Sequence, residues 1–147
     1  MQAARRRLSS SPSDHQFKGA TGLRRLVNAC GYSLAGLRHA MEREAAIRQE
    51  LFACIVLIPA AVLLPVPALE RLLVILSMLL VVLTEFLNSA IEAAIDRISL
   101  DRHPLSGQAK DLGSAAVAVA LLMSALCWIV VAGPVALRWL GLAGPGS

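Results

Sequence analysis

Charge is scarce in this 147-residue chain: Asp, Glu, Lys and Arg make up 16% of it, against roughly 25% in an ordinary soluble domain. Aromatic residues are scarcer still, at 4%. That shortage, with apolar runs too long for a nucleic-acid module, sets aside nucleic acid as the partner of a chain with net charge +4. Cysteine is limited to Cys30, Cys54 and Cys127, widely spaced and without a CxxC pair. A zinc knuckle or redox dithiol is therefore excluded, and the three read as small packing residues. No GxxxxGK[ST] loop and no kinase-type glycine loop is present, which removes the usual soluble nucleotide folds. The first 22 residues hold no apolar stretch that could form the core of a secretory signal.

What the chain has in abundance is hydrocarbon. Its hydrophobic fraction is 56% and its mean hydropathy is +0.65. From Leu51 to Leu69 there are 19 uncharged residues, close to the about 20 needed to cross a bilayer core. A second run, from Leu72 to Ile95, carries only Glu85 and Glu92, and a third is uncharged from Leu112 to Leu137. We expect spans at about 48–66, 70–96 and 112–137. Pro65 and Pro67 mark the turn after the first span, whereas Pro59 falls inside it and should kink it or be tolerated by neighbouring helices.

Ahead of the first span, Leu23, Leu26, Val27, Cys30, Leu34, Leu37 and Met41 recur at three- and four-residue spacing, with Arg24, Arg25, Arg38 and Glu42 on other faces. This pattern predicts an amphipathic surface helix at about 22–43. The expected fold is all-α: a membrane domain over 22–140 made of this helix and three transmembrane helices, flanked by a flexible basic tail at 1–21 and a short tail at 141–147. Twelve of the fourteen Lys and Arg residues fall before the first span or between the second and third. The positive-inside rule then predicts a cytoplasmic N-terminus and second connection, and a periplasmic C-terminus.

The informative stretch is Glu85 to Asp96. At about 100° per residue, Glu85, Asn88, Ser89, Glu92 and Asp96 share an arc of roughly 100°. A carboxylate in hydrocarbon costs at least about 2.5 kcal/mol on insertion scales, so these groups must face protein or water. Mutual repulsion calls for a cation, most simply Mg²⁺ delivered with nucleotide phosphates, and a carboxylate off the metal could act as general base. Lys110, in the expected loop Ser106 to Asp111, has the charge to meet transferring phosphate oxygens. The bland alternatives are that Glu92 and Asp96 snorkel or pair with Arg97, that Asp111 caps the third helix, and that His103 is loop chemistry. Composition and periodicity leave a small proton-coupled transporter equally open.

The run E-F-L-N-S-A-I-E-A-A-I-D at 85–96 resembles the signature of the prokaryotic diacylglycerol kinases. G-Y-S at 31–33, G-L-R at 36–38, E-A-A-I-R-Q-E at 44–50 and A-K-D-L-G-S-A-A-V at 109–117 match in the same order and spacing. The resemblance covers about Gly22 to Val131. It implies a homotrimer in the bacterial inner membrane that moves the γ-phosphoryl group of MgATP to the free hydroxyl of diacylglycerol. Glu85 is implied as catalytic base and Glu44 with Glu92 as metal ligands. Arg25, Tyr32, Asp96, Lys110 and Asp111 are implied at the nucleotide, and Arg25, Ser33, Glu50, Asn88 and Ser114 with Glu85 at the lipid substrate. Leu34 and Met41 stand where the enterobacterial form has Trp, and Gln108 where it has Arg, which bears on substrate preference more than on reaction type. A related branch phosphorylates undecaprenol, and the E-A-A-I-R-Q-E stretch looks more like the diacylglycerol branch.

Overall fold

The computed structural model describes residues 22–99, 101 and 103–142; the basic segment 1–21 and positions 143–147 of the expected C-terminal tail lie outside the described residues. Four helices follow one another: α1 (Gly22–Arg43), α2 (Ala45–Leu63), α3 (Ala68–Ile98) and α4 (Pro104–Trp139). The described residues contain no strand. The chain divides into two compact units, one ending at Arg38 and the other beginning at His39. In the first, Leu23, Leu26, Val27, Leu34 and Leu37 of α1 are all exposed, so the helix presents an unpartnered apolar stripe of the kind a bilayer surface covers.

In the second unit, α2, α3 and α4 are each long and apolar enough to cross a membrane. α3 is the central element: 39% of its apolar window is buried, against 11% for α2 and for α4. Four residues connect α2 to α3, so the two run antiparallel. Leu64 adopts φ −62 and ψ 134, the extended conformation that a following proline imposes. The Arg71 guanidinium then closes the turn, donating from Nη2 to the carbonyls of Leu64 at 3.0 Å and Val66 at 3.2 Å. Pro59 sits within α2 without interrupting it. Near this end Ala61, Val74 and Val131, one from each helix, form the core, with Val66, Ile75, Cys127 and Trp128 against it.

Hydroxyl groups in the span satisfy themselves on nearby backbone, as a medium without water demands. Thr84 Oγ1 lies 2.8 Å from the Val81 carbonyl, and Ser77 Oγ donates to the Val74 carbonyl at 2.7 Å while meeting Ser124 Oγ of α4 at 3.3 Å.

The third long helix starts well before its apolar run. His103 is the N-cap, its Nδ1 accepting from the Leu105 amide at 3.2 Å, and Pro104 occupies the first turn, where its missing N–H and fixed φ suit helix initiation. Two expectations are corrected by this. Lys110 and Asp111 stand on α4 and not in a loop, and Asp111 is not its cap. Hydropathy marks where a helix enters hydrocarbon, whereas cap chemistry marks where the helix begins.

Because Ala61 is fully buried, Ala61→Leu should overpack the three-helix core and destabilise the protein by about 1–3 kcal/mol. Leu63→Ala, at a side chain that is 81% exposed, should change stability by less than about 0.5 kcal/mol. Reversible unfolding in detergent micelles measures both; equal effects would contradict the packing described.

Candidate active site

Helical periodicity turns the polar face of α3 inward at one level and outward at another. Glu85 and Asn88 are each 8% exposed, whereas Glu92, one to two turns further along, is half-buried and Asp96 is exposed. The face therefore grades from a sheltered carboxylate to one at the open end of the bundle. Asn88 Nδ2 donates to Glu92 Oε1 at 3.0 Å, a bond along the helix from i to i+4.

Other elements bring further carboxylates to this face. Glu44 is the N-cap of α2, in extended conformation at φ −102 and ψ 112, and its side chain caps nothing. It is left free to point elsewhere. The charges of Glu44 and Glu92 both act on Glu85, and that of Glu85 acts on Glu50 of α2. Four carboxylates from α2, its cap and α3 thus share one electrostatic neighbourhood. Glu50 leans into an apolar cleft of about 350 Å³ with Cys54, Met78, Val81, Leu121 and Trp128, and its Oε2 has no hydrogen-bond partner.

At the open end, Lys110 Nζ of α4 donates to Asp96 Oδ1 at 2.6 Å. Asp96 pairs across to α4, so the expected alternative of a pair with its neighbour Arg97 is not the contact made. The ion pair borders a cavity of about 440 Å³ lined by Asp96, Ser99, Asp101, His103, Ser106 and Lys110. Ser99, Asp101 and Ser106 were not singled out from the sequence. The only signal was their position at the junction of α3 and α4, with Ser99 at the cap of α3 and Ser106 in the first turn of α4, and the cavity lies where α4 begins at Pro104 beside the end of α3. Asp111 and Ser114 are exposed on α4. Arg25, Tyr32 and Ser33 lie on α1 in the first unit, all exposed.

Among the described residues, no three carboxylate, imidazole or thiol groups converge closely enough to hold a metal ion by themselves. The carboxylate oxygens of Glu44 and Glu92 are donors of the hard kind that a divalent ion carrying phosphates takes. The set offers chemistry for phosphoryl transfer: acceptors for a metal and a proton on α3, and a cation at the end of α4.

The Lys110–Asp96 pair is 37% and 50% exposed on its two sides, so it stabilises the fold weakly. Lys110→Met should leave the unfolding midpoint in detergent close to that of the wild type; a marked drop would make the pair structural and unavailable to a ligand.

Comparison with known proteins agrees with this chemistry. The sequence profile of prokaryotic diacylglycerol kinase matches residues 31–132. A diacylglycerol kinase of Pseudomonas aeruginosa is 54% identical over 121 residues, covering 82% of this chain and 97% of that protein. One of Escherichia coli is 48% identical over 111 residues, covering 76% and 91%. One of Helicobacter pylori is 39% identical over 109 residues, covering 74% and 85%. With three long apolar helices, a polar face that ends in a cavity bordered by the Lys110–Asp96 pair, and this extent of similarity, the chain belongs to the prokaryotic diacylglycerol kinase family.

Proposed function

We propose that the protein transfers the γ-phosphoryl group of ATP to the free hydroxyl of diacylglycerol, producing phosphatidic acid and ADP at the membrane surface. The observation that carries this reading is the placement of Glu85, 8% exposed on α3, at the sheltered end of the polar helix face that continues through the Asn88–Glu92 hydrogen bond. A carboxylate at that depth is within reach of a lipid headgroup whose acyl chains stay in the bilayer. The lipid need not be extracted.

Glu85 takes the proton from the lipid hydroxyl as its oxygen bonds to the γ-phosphorus, and the bond from that phosphorus to the β–γ bridging oxygen breaks, releasing ADP. Glu44 and Glu92 would hold Mg²⁺, which would supply neutralising charge to the phosphate oxygens. Lys110 is placed against the same oxygens, and Asp96 holds its ammonium in position when no nucleotide is present. Asp111, Arg25 and Tyr32 serve the nucleotide. Ser33, Glu50, Asn88 and Ser114, with Arg25, serve the lipid side.

The assembly is a homotrimer in the inner membrane, with the site on the cytoplasmic side. The orientation is supported by twelve of fourteen Lys and Arg residues preceding the first span or lying between the second and third. The trimer follows from the resemblance to the family, and the large apolar side chains exposed on α2 and α4 face either lipid or neighbouring subunits.

Purified protein in mixed micelles is expected to convert MgATP to ADP only when a lipid alcohol is present, with diacylglycerol preferred over undecaprenol; no phosphorylated lipid from either would sink the kinase reading. Glu85→Gln should lower kcat by about 10²–10⁴ while MgATP still protects the protein against unfolding. Near-normal turnover of that variant would remove Glu85 from the role of base.

A further inference from the structure

The backbones of α3 and α4 come together at Asn88 and Gly113. Gly113 is buried. A Cβ built on it would overlap Asn88 Oδ1, and would lie 3.2 Å from Asn88 Cγ and 3.8 Å from its Cα. The hydrogen that stands in place of that Cβ therefore points at Oδ1. Among the described glycines this is singular: Gly22, Gly31, Gly36, Gly107, Gly133 and Gly141 each face open space where a Cβ would stand, with no described neighbour in the way.

The orientation of the amide follows from its other contact. A carboxylate can only accept, so the group facing Glu92 Oε1 at 3.0 Å is Nδ2, and Oδ1 is turned toward α4. There it is buried with no hydrogen-bond partner. On that side it faces the backbone of Gly113, where an added Cβ would overlap it. The carboxamide is thus held on one side by Glu92 and on the other by a surface that exists only because residue 113 lacks a side chain. Ordinary small-residue helix packing, with Ala109 one turn earlier, would explain close backbones. It does not explain why the atom nearest the missing methyl belongs to the side chain that holds Glu92.

We propose that Gly113 is a positioning residue of the site: its absent side chain gives the Asn88 carboxamide room to lie against α4 and so to hold the Glu92 carboxylate ready for the metal-bound nucleotide. The proposal rests on the reading of Glu92 as a ligand of that metal. A methyl at position 113 pushes the carboxamide away from α4, Nδ2 moves with it, and Glu92 Oε1 loses its donor.

Four variants of the full chain test this in mixed micelles: Gly113→Ala, Asn88→Ala, the two combined, and Glu92→Gln, each assayed for kcat, for KM toward MgATP and for its unfolding midpoint. Gly113→Ala is expected to raise KM for MgATP about tenfold, the low end for loss of a group that orients a metal ligand. In the Asn88→Ala background the same substitution is expected to change KM less than about twofold, because the clash is gone and the sites are coupled. Losses that multiply in the combined variant, or a wild-type KM for Gly113→Ala, overturn the proposal while leaving the nucleotide reading of Glu92 intact. An unchanged KM in Glu92→Gln overturns both. Should Gly113→Ala fail to fold, the combined variant decides: it must fold and turn over like Asn88→Ala, and a combined variant that stays unfolded overturns the proposal.

Discussion

The constraint on which this structure depends is the shelter of a carboxylate from hydrocarbon. Glu85 sits 8% exposed within a 31-residue apolar helix, where an unprotected charge would cost several kcal/mol. α3 must therefore run through the middle of the bundle, with α2 and α4 packed around it. Central placement is what distinguishes it from the other two spans, whose apolar surfaces remain largely exposed. The polar face and the fold are two aspects of one requirement.

The same requirement explains how the polar groups are distributed along the helix. Toward the Arg71 turn, α3 meets its neighbours through Val74 and Ser77, and the serine hydroxyl is satisfied by its own helix and by Ser124. Toward the other end, Glu85, Asn88, Glu92 and Asp96 appear at one-turn intervals, the first two buried, Glu92 half-buried and Asp96 exposed. The gradient suits a reaction between two unlike partners. The deep end lies within the helix bundle, and the shallow end, with Lys110, borders an open cavity. Neither partner has to cross into the other's solvent.

Much of this was legible in the sequence. The three spans follow from apolar run length, and the shared face of Glu85, Asn88, Glu92 and Asp96 follows from helical period, which is a local property of one segment. The start of α4 was misjudged because hydropathy reports entry into the membrane. His103 and Pro104, eight or more positions before Leu112, carry the actual initiation signal. Glu44 shows the opposite limit. As an isolated charge at a helix junction it has no pattern of its own, and only the resemblance drew attention to it.

The sequence by itself determined the class of protein, the number of spans and which acidic residues share a helix face, since each depends on residues close together along the chain. Tertiary structure alone decided that Asp96 pairs with Lys110 and not Arg97, that Glu50 and Glu44 share the field of Glu85, and that Gly113 leaves room for Asn88. These groups lie 14 or more residues apart along the chain, on helices whose relative rotation and depth are set by side-chain packing. No period within a single helix encodes that.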